Sequence, residues 1–359
     1  MEVKTMKKHI ALLLTLALVV CVFAGCAGTP VVYYTNCTCP GNEGTPVATE
    51  PATDPVVLEG ALKTGLAILT GISGENATKA DYDVTIAAVT LDENGIIADC
   101  VIDSIGTSVA FDGTGAITSD VTAAVATKNE LGDAYGMVAY GGAVAEWDAQ
   151  ADALAQFAIG KTVEELKNGA IDETGKAPAG SDLATSATIY LGGYVAAIEA
   201  AAANAQVLGA QAGDELKLTS VSSLDGSKAA DAENAGLAQL YTNVAAVTMK
   251  DGVITSCMID AVQAKVEFDA TGTITTDLTA PVQTKNQLGE GYGMKAWGGA
   301  IAEWNEQAAS FAAYITGKTP AEVAGIAVDE KTAPTDADLT ASVTIKIGDF
   351  QALIAKAAQ

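Results

Sequence analysis

The chain has 359 residues, a formal net charge of −25 and a single histidine, His9. All 19 basic residues are lysines, since the sequence contains no arginine, and so acidic a chain argues against nucleic acid as a partner. His9 lies in a segment that is predicted to be removed, which excludes histidine-assisted serine or cysteine hydrolysis.

Residues 1–25 are typical of a secretory signal peptide. Three lysines among the first eight residues precede an apolar run, residues 10–24, that is short for a membrane span. The run ends in Phe23-Ala-Gly-Cys26, which resembles a bacterial lipobox. The resemblance implies a diacylglyceryl group on Cys26 and cleavage before it. Plain secretion with an unmodified Cys26 is the alternative.

Residues 26–56 are predicted to be a disordered tether behind the lipid site. Five of the nine prolines lie in this segment, and glycine, threonine and glutamate fill much of the rest. Cys37 and Cys39 also lie here, and two cysteines without a histidine favour an incidental or labile disulfide over a metal or redox site. We therefore expect an extracytoplasmic protein that is anchored to the membrane by a lipid on Cys26.

The remaining chain contains one unit twice. Residues 127–160 return as residues 284–317, 157 positions later, with 19 identities in 34 positions. The flanking patterns also recur, so the sequence predicts two tandem homologous domains, residues 57–206 and residues 214–359. Each is long enough to bury its own core.

Each copy begins with alternating apolar residues, which indicate β-strands. In the first copy, residues 83–91 and 96–102 are predicted strands, joined by a turn whose Asn-Gly pair favours a hairpin. Cys100 is expected to face the core. Asp99 and Asp103 are expected on the opposite, solvated face of the strand.

Helical spacing follows the strands. Residues 143–159 form a predicted amphipathic helix, and Thr162 is the expected cap of a second helix. Gly160-Lys-Thr162 is similar to the end of a phosphate-binding loop, but it follows a helix and lacks the upstream glycine, which favours a helix stop and cap. Residues 182–191 are a predicted late strand before a last helix, residues 194–205. The fold class is therefore α+β, with each domain an antiparallel β meander that carries helices on one side.

The most strongly repeated stretch is a loop that reads Lys-Asn-x-Leu-Gly-x-x-Tyr-Gly-Met and continues to Gly-Gly. A loop with these glycines and aromatic side chains is compatible with a pocket for a flat ligand. The alternative is that they fix a long loop onto the next helix. The candidate ligand-binding residues are Lys128, Tyr135, Tyr140, Lys285, Tyr292 and Trp297.

A second candidate site lies late in each copy. Together with the lipobox and the turn Asp251-Gly-Val-Ile-Thr255, the late segments resemble the FMN-binding-domain lipoproteins of bacterial surfaces. In that family an Asp-x-x-Ser/Thr-Gly-Ala-Thr motif carries FMN, joined through its phosphate to the last threonine. The candidate cofactor-binding residues with this spacing are Asp182, Thr188, Asp338 and Thr344.

The late segments also depart from the family motif. Ser186 and Ser342 replace its glycine, and Val343 replaces its alanine in the second copy. The resemblance therefore favours Thr188 over Thr344 as an attachment site. Strand-forming threonines are the alternative interpretation of both positions.

Two functions of different classes follow from these patterns. The resemblance implies a flavin-based electron carrier with FMN as cofactor, a redox partner at the membrane and no enzymatic turnover. The alternative is a non-catalytic surface lipoprotein that binds a partner or a small ligand, or that is purely structural. Neither involves a metal or a nucleic acid.

Replacing Cys26 with serine is expected to release the protein from the membrane, because the serine cannot carry the thioether-linked lipid. Cell fractionation followed by detection of the protein in each fraction measures this release. A Cys26→Ser protein that stays as membrane-associated as the parent chain would show that the lipid anchor is wrong.

Overall fold

Two β-sheets pack face to face in the computed structural model, and each carries helices on its outer face. The structure describes residues 60–74 and 78–359, and all of these belong to one compact unit. The predicted signal peptide, the tether, Cys26, Cys37 and Cys39 lie outside the described residues. The predicted α+β class is confirmed, in four layers of helices, sheet, sheet and helices.

All neighbouring strands are antiparallel, in the order β3-β2-β1-β4 in sheet one and β5-β6-β7 in sheet two. The strands are β1 Ala61–Ser73, β2 Lys79–Leu91, β3 Ile97–Ala110, β4 Gln206–Gln211, β5 Glu215–Ser223, β6 Gly236–Lys250 and β7 Val253–Phe268. The first three strands of each sheet form the predicted meander. β4 pairs with β1, so sheet one continues past residue 206, where the first repeat was predicted to end.

The helices of the two repeats recur in the same order. Those of repeat one are α1 Lys128–Leu131, α2 Met137–Gly141, α3 Trp147–Ala158, α4 Val163–Ala170, α5 Asp182–Ser186 and α6 Gly192–Ala203. Those of repeat two are α7 Lys285–Leu288, α8 Met294–Gly298, α9 Trp304–Ile315, α10 Pro320–Ala324, α11 Ala337–Thr340 and α12 Gly348–Ala357. In the part of the chain that the structure describes, no helix has the length and apolar character needed to cross a membrane.

Several local predictions are confirmed. Gly95 has φ 80°, as the predicted hairpin turn requires. Cys100 is buried against the helices of repeat one. Gly160 has φ 79° after α3, and Thr162 exchanges hydrogen bonds with Glu165 at the start of α4 in a capping box.

The prediction of a late strand at residues 182–191 is wrong. Residues 182–186 form the short helix α5, because the Ser181 hydroxyl accepts a hydrogen bond from the amide of Ala184 and so caps a helix. In repeat two, Asp336 caps α11 in the same way. The threonines that follow have no neighbouring strand, and their amides are bound by a buried glutamine, described below.

The central core between the two sheets is built from both repeats. Phe111 of repeat one and Phe268 of repeat two occupy equivalent positions, and their rings stack with centroids 3.9 Å apart and an interplanar angle of 1°. The hydroxyls of Thr64 on β1 and Ser256 on β7 also lie 2.6 Å apart across the interface. Contact between equivalent residues is the mark of a two-fold interface, as in a homodimer. The repeats therefore pack like the two halves of a fused dimer.

Each repeat is expected to unfold cooperatively when it is expressed alone, because its sheet and helices enclose a core of their own. Residues 57–213, which keep β4, and residues 214–359 should each be less stable than the full chain, since each then exposes the apolar face around Phe111 or Phe268. Thermal melts of the two fragments, alone and mixed, measure this, and mixing should raise both melting temperatures.

Phe268→Ala provides the matched control. This substitution should cost the full chain about 3–5 kcal/mol and weaken the effect of mixing, because it removes one ring of the stacked pair. If both fragments lose cooperative unfolding, the two repeats share one indivisible core.

Candidate functional site

The repeated loop is held in place by its own side chains. Thr284 caps α7 by accepting a hydrogen bond from Gln287, whose side chain accepts one from the Thr284 amide in return. Further along, the Glu303 carboxylate accepts hydrogen bonds from the amides of Met294 and Lys295 at 2.8 and 3.0 Å. Glu146 makes the equivalent pair of bonds in repeat one, at 2.8 and 2.9 Å. The loop therefore presents a fixed set of side chains to the adjacent sheet.

Lys285 of this loop lies in a cage of aromatic rings. Only 5% of its surface is exposed, and its Nζ lies 4.5 Å from the ring centre of Tyr241 and 4.8 Å from those of Tyr292 and Trp304. The Nζ also donates a hydrogen bond to the Tyr241 hydroxyl at 2.9 Å. That hydroxyl donates in turn to Oδ1 of Asn243 at 3.1 Å. The three rings lie close to the ammonium, and this contact replaces part of its lost hydration.

A cavity of about 280 Å³ opens beside this cage. The repeated loop contributes Lys285, Tyr292 and Met294 to its lining, and the late segment contributes Ile345 and Lys346, directly after Thr344. An adjoining cavity of about 360 Å³ shares four lining residues with it, Tyr241, Asn243, Lys346 and Asp349. We call the two cavities together the repeat-two cleft. The cleft thus brings both sequence-predicted regions of repeat two to one place.

Burial sets the charge states in the cleft. It lowers the pKa of Lys285 to about 8, and the positive charge of Lys265 acts in the same direction, against the opposing effect of Asp260 and Asp349. Burial also raises the pKa of the Asp349 carboxyl. The four ion pairs within the described residues do not include Lys285. Burying an ammonium without a carboxylate partner costs free energy. A ligand that interacts favourably with the Lys285 side chain would offset part of that cost.

Repeat one has the same loop but a different cage. Lys128 is only half-buried, and its Nζ lies 5.4 Å from the ring centre of Tyr135 and 5.1 Å from that of Trp147. Asp83 stands where repeat two has Tyr241, since each faces the equivalent residue across its sheet. The cavity beside Lys128 is lined by the ends of β1, β2 and β3 together with Lys128 and Tyr135. It does not include the late segment that contains Thr188.

The two candidate threonines are bound to buried glutamines. Gln150, which is fully buried, accepts hydrogen bonds through Oε1 from the amide and hydroxyl of Thr188, at 2.8 and 3.2 Å. Gln307 binds Thr344 with the same two distances. Both threonines are exposed, as are Asp182 and Asp338 at the short helices that precede them. Both threonines are therefore accessible. Only Thr344 is followed directly by a residue, Ile345, that lines the lysine cavity of its own repeat.

Tyr140 and Trp297 lie outside the cavities next to the two lysines. They are 93% and 90% exposed, on the outer surface of the loop. Each ring covers a glycine of its own loop, Gly136 or Gly293, where a Cβ would lie 2.6 or 2.3 Å from the ring. The structure thus brings Lys285 and Tyr292 together and leaves Trp297 apart from them.

The prediction that Asp103 lies on a solvated face is wrong. Asp103 is buried, because the loop of its own repeat covers that end of β3, and its Oδ1 accepts hydrogen bonds from the amides of Ser104 and Asn129. The equivalent Asp260 accepts from the amides of Ala261 and Asn286, and from the Thr284 hydroxyl. Burial raises the pKa of Asp103 and raises that of Asp260 to about 6.

Sequence reasoning missed three pairs of residues that build the site. They are Asp103 and Asp260, Glu146 and Glu303, and Gln150 and Gln307. Each pair is identical in the two copies at the 157-residue offset, which is the signal that could have identified it.

No family model, curated protein or solved structure matches this chain. The resemblance to the FMN-binding-domain lipoproteins therefore stays a prediction, and function has to be inferred from the side chains of the repeat-two cleft.

Asp260→Asn is expected to reduce the pH dependence of stability between about pH 4 and pH 6. Because the folded pKa of about 6 lies above the ordinary 3.8, the carboxyl is most favourable to folding below pH 3.8, and this contribution is lost as the pH rises through 6. With about 1.4 kcal/mol for each pKa unit, the loss amounts to roughly 3 kcal/mol. Asparagine keeps an acceptor for the two amides and does not ionise.

Urea unfolding at pH 4, 5, 6 and 7 measures this effect, with the exposed Asp83→Asn as the matched control. A parent chain and an Asp260→Asn chain with the same pH profile would contradict the assignment of the titration to Asp260.

Proposed function

We propose that this protein is a lipid-anchored extracytoplasmic lipoprotein whose second repeat holds a small organic ligand with a flat ring in the repeat-two cleft. FMN joined to Thr344 is the first candidate for that ligand, which would make the protein a flavin-based electron carrier. The lipobox at Cys26 supports the anchor.

One observation carries the proposal. Residues of the repeated loop and the residues directly after Thr344 line the same cavity, although 51 to 61 positions separate them in the chain. Small-molecule sites are concave and largely apolar, with a few polar groups that fix orientation. The repeat-two cleft combines the rings of Tyr292 and Trp304 with Lys346 and Asn243, which matches that description.

The residues present fit FMN. Thr344 is an exposed residue, as attachment through a phosphate requires, and Lys285 and Lys346 are the cations that line the adjacent cavity in place of arginine. Tyr241 and Tyr292, which are only partly buried and line the cavity, provide apolar surface for a flat ring system. When bound, FMN supplies one- and two-electron redox chemistry, and the protein supplies its position and surroundings.

Repeat one supports the proposal less well. The motif around Thr188 keeps the alanine of the family, but Thr188 lies apart from the lysine cavity of its own repeat. We therefore infer one ligand site per chain, at Thr344.

A ligand held without a covalent bond is the second candidate. The Thr344 hydroxyl already has a partner, Oε1 of Gln307, and esterification would remove that hydrogen bond. Ser342 also stands where the family motif has glycine. A non-covalent ligand would use the same cage and leave Thr344 unchanged.

Protein purified from the native host is expected to carry one FMN through a phosphoester bond. Intact mass spectrometry should show the corresponding increment, and in-gel fluorescence should show the flavin. Thr344→Ala should lose both signals, while Thr188→Ala, the equivalent change in repeat one, should keep both. An unmodified mass without a bound chromophore would remove the flavin candidate, and a signal lost only with Thr188→Ala would move the site to repeat one.

A further inference from the structure

We propose that Nζ of Lys285 is a nucleophilic amine that binds small aldehydes or ketones covalently, as a reversible imine, in the repeat-two cleft. This inference goes beyond the proposed function, because it concerns the lysine and not the threonine and needs no flavin.

Burial of Nζ favours the neutral amine, against the attraction of the three rings for the ammonium. Its three ring neighbours, from β6, the repeated loop and α9, exclude water from most of the side chain. Within the described residues it makes no ion pair, so no carboxylate stabilises the ammonium by direct contact. Desolvation of a lysine in an apolar pocket is a known route to an activated amine nucleophile.

The charged and titratable groups around Nζ come from four elements. Asp260 and Lys265 lie on β7, Tyr241 on β6, Tyr292 in the loop and Asp349 on α12. Their combined effect with burial is a pKa of about 8 for Lys285. About a tenth of the amine is then neutral at pH 7, against well under a thousandth for an ordinary lysine.

The covalent step balances without an oxidant or a reductant. The neutral nitrogen attacks the carbonyl carbon, a C–N bond forms, and the carbonyl oxygen takes a proton to give a carbinolamine. The C–O bond then breaks, water leaves and the nitrogen loses a proton, so amine and carbonyl yield imine and water. The Tyr241 hydroxyl lies 2.9 Å from Nζ and donates its proton to Asn243 at rest, so it passes a proton to the departing oxygen by turning away from Asn243. Burial raises the pKa of Tyr241, so this hydroxyl keeps its proton.

The size and lining of the cavity limit the class of carbonyl compound. About 280 Å³ suits a small molecule with one ring or a short chain. Aromatic side chains surround the reacting nitrogen, while Asn243 and Asp349 lie on the side that adjoins the second cavity. An aldehyde or ketone with an apolar body and one hydroxyl or amine group would match this arrangement.

Repeat one contains the matched control. Lys128 occupies the same position of the same loop, but it is half-buried beside two rings and has Asp83 in the place of Tyr241. Its amine should therefore react more slowly than that of Lys285.

The test uses the full chain with Thr344 unmodified, benzaldehyde as the probe and cyanoborohydride to trap the imine. Peptide mass mapping after timed exposure from pH 6 to pH 10 compares Lys285 with Lys128 in the same molecules. At pH 7, Lys285 should be labelled at least about tenfold faster, and its rate should level off above about pH 8. In urea the two lysines should react alike.

Two variants separate the chemistry from folding. Lys285→Arg keeps a cation among the rings and should abolish the fast label. Tyr241→Phe keeps the ring and should slow labelling at Lys285 several-fold without changing Lys128. Equal rates at the two lysines in the folded chain, or a Lys285 rate that keeps rising to pH 10, would overturn the proposal. Since Thr344 is unmodified throughout, a failed flavin assay leaves this result unaffected.

Discussion

The structure depends on the burial of the second face of each sheet. An antiparallel sheet with helices on one side still exposes an apolar face, and here each repeat covers that face of the other. Phe111 and Phe268 stack at the centre of this contact because they are the same residue of two copies, and a two-fold arrangement brings equivalent positions together. The repeated loops and the helices that build the two lysine cages pack on the outer faces of these sheets, so the interface between the sheets determines where they lie.

The same interface permits the two repeats to differ elsewhere. The side chains that join the sheets must remain complementary, whereas the outer cages can change independently. Repeat two has Tyr241, Phe350 and Asp349 where repeat one has Asp83, Tyr194 and Gly193. One lysine is consequently enclosed by three rings and the other by two, although the loop that carries them is nearly identical.

The sequence predicted those features that depend on neighbouring residues. The hairpin turn at Gly95, the meander, the amphipathic helix and the cap at Thr162 all follow from spacing and from side chains within a few positions. Features that depend on distant residues were missed. The late strand failed partly because Gln150, some forty positions earlier, binds the amides of Thr188 and Ile189. The Ser181 cap of α5 was a local signal that the strand prediction overlooked. Asp103 was assigned to solvent because nothing near it in sequence indicates that the loop at Asn129 covers it.

The cage itself illustrates the same limit. Lys285 and Tyr292 were identified as ligand-binding candidates because the loop is repeated, but Tyr241 was invisible to that search, since the first copy has aspartate there. Comparison of two copies finds what they share. The residue that most distinguishes the repeat-two cleft is one that they do not share.

Fusion of two copies into one chain affects the stoichiometry of ligand binding. In a homodimer every substitution is present in both subunits, so the ligand affinity of the two equivalent sites rises or falls together. Here a change at Asp83 or Tyr241 affects one repeat only, and the covalent link between the repeats keeps the pair assembled at any protein concentration. Saturation at one ligand for every two structural repeats would then be a fixed property of the covalent chain, and it would need no negative cooperativity to explain it.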